Sequence, residues 1–317
     1  MDVSQHNSCI EAAEFNYVVQ KLRTFFLHKG FVEVSTQHRL SILAACEDPT
    51  TISLYDYNGT TWPLPQTGQM WLEHEMLKNP NNPGYFCVST SYRNEPHPIS
   101  GRHNLIFPMF EFEMKGGYDE LINMEKELIT YLGYTDHVEK DYMDVVEKYQ
   151  AFDLTHDHEQ QLYSEFGSAF FLKKFPTYTS PFWNMQRFED ARYAKKIDVI
   201  LSGMETIGSA ERSCDKQAMR DSFHTISNGE YAKLLYSKFG KDRVEAELEE
   251  FLQYDFIPRS GGGIGVTRLI SSMKKENLIP LRSSIVDNVE AISSERIDAR
   301  LHSGDINSRA MARGYYD

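Results

Sequence analysis

Nowhere does the 317-residue chain approach the run of about 20 apolar residues that a bilayer-spanning helix needs, and its polar start, Met1 to Ser8, has no signal-peptide core. These absences point to a cytoplasmic protein with no membrane partner. Cysteine is scarce: Cys9, Cys46, Cys87 and Cys214 are scattered without a C-x-x-C pair, which argues against a disulfide framework or a thiolate zinc site. Excess positive charge is missing too. A net charge of −13 argues against broad binding to nucleic acid, yet allows a nucleotide held by a few arginines. There is no internal repeat and no P-loop. The glycines at 261–265 also fail G-x-G-x-x-G, because Arg268 stands where the third glycine belongs.

What is present is ordinary for a globular protein: 41% hydrophobic and 25% charged residues. Ser8-Cys-Ile-Glu11 has the form of a capping box, and Phe15, Val18, Val19, Leu22, Phe25 and Phe26 then recur at helical spacing. Phe31 to Thr36 reads as a strand with a wet and a dry side, and Asn58-Gly59 as a tight hairpin turn. A helix over Met70 to Leu77 would present its start, Gln66 to Gln69, to a ligand. Glu120 to Leu132 is amphipathic, and Tyr134 to Phe175 reads as helical and more polar. His156 and His158 within it, two apart, cannot share a helix face, so no metal site is expected there. Pro176 to Trp183 and Asp198 to Gly203 read as strands, Tyr231 to Tyr254 as helical, and Ser260 to Leu269 as a glycine-rich strand entering a helix.

Chemistry concentrates between Ser91 and Glu113. Thr90 to Glu95 is an extended run stopped by Pro96 and Pro98, and Asn104 to Glu113 alternates well enough to be its return strand. Arg93 and Glu95, two apart, leave one face of such a hairpin, and Arg102 and His103 in its tip could reach an anion over that face. A guanidinium fork suits a phosphate, and a carboxylate suits an amine. On these residues alone a solvated cross-strand ion pair fits as well as a phosphate site. The glycines at 261–265 would let a strand pass flush beneath a flat ring, with Arg268 on the next helix aimed at a phosphate or simply at solvent.

Taken together, the motifs resemble the class II aminoacyl-tRNA synthetase catalytic core across roughly Phe15 to Ser272. Phe25-Phe26 to Thr36 is similar to its first motif, Tyr92-Arg-Asn-Glu95 to Glu113 to its second and Gly261 to Leu269 to its third. Gly68-Gln-Met-Trp-Leu-Glu73, Phe107 to Glu113 and Glu205-Thr-Ile-Gly-Ser-Ala-Glu-Arg212 are similar to elements of the asparaginyl branch. The resemblance implies an α+β fold, an antiparallel sheet flanked by helices, in a catalytic domain over 1–280 with an extension of unknown role over 281–317. It implies that Arg93 and Arg268 are catalytic, and that ATP is bound by Arg93, Glu95, Arg102, His103, Phe107, Gly263, Gly265 and Arg268. Gln69, Leu72, Glu111 and Arg212 would bind the amino acid, and Asp198 and Glu205 would hold Mg²⁺.

Three departures qualify it. Gln37-His38 replaces the proline that ends the first motif and bears on the homodimer the family implies; Ile106 replaces a glutamate; Leu72 stands where aspartate enzymes have a lysine. The chain opens at the first motif, so the anticodon-binding barrel is expected to be missing and tRNA not to be a partner. Ser180-Pro-Phe-Trp183 and Gly101-Arg-His103 are similar to segments of stand-alone asparagine synthetases. That resemblance implies aspartyl-adenylate formation and transfer to ammonia, giving asparagine, AMP and pyrophosphate. A repurposed ligase serving another amine, carrier or tRNA is the alternative, and a nucleotide-sensing subunit without catalysis a further one.

Overall fold

The computed structural model describes residues 10–36, 38–45, 48–98 and 104–280. Cys9, Cys46, Gln37, Arg102, His103 and the 281–317 extension therefore lie outside the described residues. Ten strands are described: β1 (Val32–Glu33), β2 (Leu54–Tyr57), β3 (Thr60–Pro63), β4 (Gly84–Tyr92), β5 (Ile106–Lys115), β6 (Val138–Asp141), β7 (Ala169–Pro176), β8 (Tyr193–Leu201), β9 (Met204–Arg212) and β10 (Arg259–Gly265). The helices are α1 (Ala12–His28), α2 (Gln69–Lys78), α3 (Tyr118–Leu132), α4 (Tyr142–Tyr149), α5 (His156–Phe166), α6 (Lys216–Thr225), α7 (Glu230–Phe239), α8 (Lys241–Leu252) and α9 (Val266–Lys275). None of them is long and apolar enough to cross a membrane.

Eight strands form one sheet in the order β1-β4-β5-β10-β9-β8-β7-β6, while β2 and β3 make a separate hairpin. Only the outer pairs β1/β4 and β6/β7 are parallel; the five inner pairings are antiparallel. The architecture is thus the α+β, antiparallel-sheet fold that the motifs imply. Alternation along β5 divides its faces. Phe110 and Phe112 turn into the core beneath α1, α3 and α9, whereas Glu111 and Glu113 turn to the other side. Phe26 of α1 sits 5.1 Å from both Phe110 and Phe112, and Phe86 stacks on Phe110 at 5.1 Å. Each such ring buried contributes on the order of 1.5–3 kcal/mol.

Four local expectations need correction. Helix α1 begins with Glu11 as its N-cap and no side-chain capping bond, so Glu11 is not the third helical residue of a capping box; Ser8 lies outside the described residues. The first-motif strand is only Val32–Glu33, both exposed, because the chain leaves the edge of the sheet there. The Tyr134–Phe175 stretch contains β6 and β7 as well as α4 and α5; Phe170 to Leu172 is a short apolar run that periodicity cannot assign, and pairing with β8 makes it a strand. Pro176–Trp183 is not a strand: Thr177–Thr179 form a 3-10 turn, and Trp183 is buried edge-on against Phe223 and Phe251.

One buried acid makes the core sensitive to pH. Glu125 of α3 is fully buried, and burial pushes its carboxyl up to about 8, with Ser209 opposing and Asp198 adding to the shift. The folded state thus holds this proton more tightly than the unfolded chain, whose glutamates titrate near ~4.3. Its contribution is intact below that pH, declines as pH rises and has gone above about 8. Glu125→Gln is expected to remove this alkaline loss; thermal melts at pH 5 and pH 9 check it, and an unchanged pH slope contradicts it.

Candidate active site

The expected hairpin is β4 and β5, in the register Tyr92↔Ile106, Ser91↔Phe107, Cys87↔Glu111 and Tyr85↔Glu113. Arg93 and Glu95 lie just past the end of β4, and the Arg93 N–H continues the ladder to the Leu105 carbonyl at 2.8 Å. Arg93 lies over the Phe107 ring, 5.6 Å from its centroid. Burial weakens its hold on the proton, with Glu205 opposing that effect.

Beside Arg93 is a cavity of about 310 Å³ lined by Arg93, Glu95, Phe107, Glu205, Gly263, Gly265 and Arg268. Every described residue expected to bind ATP therefore meets at one place. At Gly261 and Gly262 of β10 nothing larger fits against the neighbouring backbone, and at Gly263 a side chain would have to displace Met109, whereas Gly265 has room. A Cβ on Gly261 would lie 2.0 Å from Glu113 Oε2 and 2.3 Å from the Phe112 carbonyl; one on Gly263 would lie 2.6 Å from Met109 Cε. Arg268, on the first turn of α9, donates to the Glu205 carbonyl at 2.9 Å.

A second cavity, about 520 Å³, is lined by Gln69, Glu111 and Arg212 and shares Glu205, Gly208 and Gly263 with the first. Helix α2 begins at this wall as expected. Glu111 accepts from the Thr67 and Ser89 hydroxyls and from the Gly68 N–H at 2.8 Å, so its carboxylate anchors the start of α2. Burial raises its pKa, against those bonds. Arg212, 2% exposed, donates to Glu113 at 3.3 Å and lies 3.8 Å from Glu73.

Leu72 is not at this wall. It packs with Met76, Tyr85 and Cys87 in a small apolar cluster, because Gln69 and Glu73, one helical turn apart, take the cavity side of α2. Asp198 is set apart from the 310 Å³ cavity, in a smaller space of about 210 Å³ that it shares with Glu205 and Lys196. Its Oδ2 accepts from Lys196 Nζ at 2.8 Å; burial pushes its carboxyl up, with Lys196 opposing.

Sequence reasoning missed Glu73, Arg259 and Lys196. Glu73 accepts from half-buried Gln69 at 2.9 Å and, in the interior, from Asn184 at 2.8 Å and Arg259 at 2.7 Å. Burial pushes Glu73 up, but Arg259 and Arg212 outweigh it and hold the carboxyl below its usual range. Burial pushes Glu113 up to about 7 despite Arg212. For Lys196 the available signal was alternation, which puts it on one face of β8 with Asp198; Glu73 and Arg259 carried no comparable local signal.

Comparison with known proteins places the fold and the family. The chain is 24% identical over 293 residues to the asparagine–tRNA ligase of Desulforamulus reducens, covering 80% of this chain and 63% of that one. It is 21% identical over 301 residues to the aspartate–tRNA(Asp) ligase of Thermoplasma acidophilum, covering 82% and 65%. It thus spans less than two thirds of the length of these relatives. The asparaginyl-tRNA synthetase of Pyrococcus horikoshii, solved with asparaginyl-adenylate, superposes with a TM-score of 0.68 at 20% identity over 83% of this chain and 64% of that one. The family of class II tRNA synthetases (D, K and N) matches residues 6–281, and the chain belongs to that family.

Proposed function

We propose that the chain activates an aspartate- or asparagine-like amino acid with ATP, forming an aminoacyl-adenylate and pyrophosphate, and passes the acyl group to an amine or a hydroxyl. The supporting observation is the junction of the two cavities at Glu205, Gly208 and Gly263, with Arg93 and Arg268 on one side and Gln69 and Arg212 on the other. An amino-acid carboxylate crossing that junction reaches an α-phosphorus without a protein nucleophile. Arg93 and Arg268 meet the charge that develops on the phosphates, and Glu95 and Phe107 hold the adenine. Gln69, positioned by Glu73, orients the α-ammonium, and Arg212 reads the side chain.

Magnesium fits the carboxylates present. Asp198 Oδ1 is buried and has no hydrogen-bond partner, and Glu205 stands across Gly208 from it. Such oxygen donors suit an ion that draws its remaining ligands from phosphate and water. Bound there, it would supply charge to the triphosphate. Lys196, already on Oδ2, leaves Asp198 one oxygen for that purpose.

In the narrower form of this reading the substrates are aspartate and ammonia and the product is asparagine. The names of the curated relatives favour a second form, in which the acceptor is a tRNA. Pyrophosphate exchange across a panel of amino acids tests the activation step. Exchange with aspartate is expected. Exchange with asparagine alone rejects the asparagine-synthetase form, and ATP binding without exchange for any amino acid leaves only a nucleotide sensor.

A further inference from the structure

The acceptor can be read more closely from the 520 Å³ cavity, an inference that rests on the activation reading. Its inner end is closed: Arg212 stands against Glu113 and Glu73, both 0% exposed. One side of the remaining wall is apolar, built by Pro181, Phe182 and Met185 after β7 and by Ile226, Tyr231 and Leu234 around the start of α7, while Gln69, Glu111, Lys196 and Glu205 keep the other side polar. Met185 bridges to Arg212 through the backbone, so the apolar wall starts where the polar end stops. It runs outward to Ser180, Ser227 and Glu230, all exposed. The turn that carries it holds Ser227, Asn228 and Gly229 in successive left-handed conformations (φ 51°, 55° and 79°), which fixes where Ile226 and the start of α7 stand.

Ammonia has about the bulk of one water molecule, roughly 30 Å³ of liquid volume, and makes no use of this wall. The charge on the wall also disfavours a polyanion. Its two cations, Lys196 and Arg212, are paired with Asp198 and Glu113, while Asp48 and Glu230 line the cavity too, Glu230 bridged to Lys233 at 2.7 Å. We infer that the acyl acceptor is a primary amine on an apolar body, which enters along Phe182, Ile226 and Leu234 with its nitrogen toward the adenylate. The nitrogen lone pair forms the C–N bond to the acyl carbon. The C–O bond to AMP breaks with its electron pair on the phosphate oxygen, and the surplus ammonium proton passes to that phosphate.

The test supplies ATP, Mg²⁺ and the amino acid that scores in exchange, then compares phenethylamine, hexylamine, ammonia and a tRNA transcript by AMP release and acylated product. The apolar amines are expected to exceed ammonia at least tenfold in kcat/KM. Leu234→Ala is expected to raise their KM about tenfold while leaving the KM for ammonia little changed. Equal use of ammonia, preference for tRNA, or a Leu234→Ala effect confined to the amino-acid KM each overturns the inference. Calorimetric binding of phenethylamine separates the two readings. Binding that weakens in Leu234→Arg, without exchange for any amino acid, supports the amine site and rejects activation; exchange without amine binding rejects the amine site.

Discussion

Arg93→Ala is expected to slow amino-acid-dependent pyrophosphate exchange by a factor of about 10²–10³, equivalent to roughly 3–4 kcal/mol of transition-state stabilisation. Arg93 is the cation at the end of β4, over Phe107 and in one cavity with Glu95, Glu205 and Arg268. Its guanidinium fork can bind two oxygens of a crowded phosphorus at once, a geometry that an ammonium does not reproduce. Arg93→Lys should therefore recover only part of the rate. The strand ladder depends on the Arg93 backbone N–H rather than the side chain, so the fold is expected to survive. Turnover of the alanine variant within tenfold of the parent would remove Arg93 from the phosphates.

Glu73→Ala carries the largest expected stability loss. It removes the acceptor of Gln69, Asn184 and Arg259 and leaves the Arg259 guanidinium, 0% exposed, with the Phe256 ring at 4.8 Å and the Ser213 carbonyl at 3.2 Å. Breaking one side of a buried ion pair costs on the order of 3–5 kcal/mol, which lowers Tm by roughly 5–9 °C in a domain of this size. Glu73→Gln keeps the shape and part of the hydrogen bonding and is expected to fall between. Because Glu73 also holds Gln69 at the cavity wall, a folded Glu73→Gln protein should show a raised amino-acid KM with the ATP KM little changed. A melt within 2 °C of the parent for Glu73→Ala would end this role.

Much of the site could be read from local pattern. The β4/β5 hairpin, the glycine strand entering α9 and the strand carrying Glu205 to Arg212 each announce themselves within about a dozen residues, where strand alternation and glycine placement act. The misreadings came where pattern is ambiguous or distant partners decide. Phe170 to Leu172 is equally a buried helix segment until β8 pairs with it. Leu72 sits beside Gln69 in sequence, yet the rotation of α2 sends it into the core and brings Glu73 to Arg212 instead. Lys196 matters because Asp198, on the same face of β8, is buried beside it.

The chain by itself determined its family and the residue types that gather around the cavity beside Arg93, since motif spacing on strands and at helix starts dictates which side chains share a face. Tertiary structure alone decided which charges neutralise one another and how far the cavity beside Arg212 extends. Glu73 and Arg259 are 186 positions apart, and Met185 meets Arg212 at the far end of the β8/β9 hairpin. Pairing across such distances depends on how sheet and helices pack together, which no local periodicity encodes.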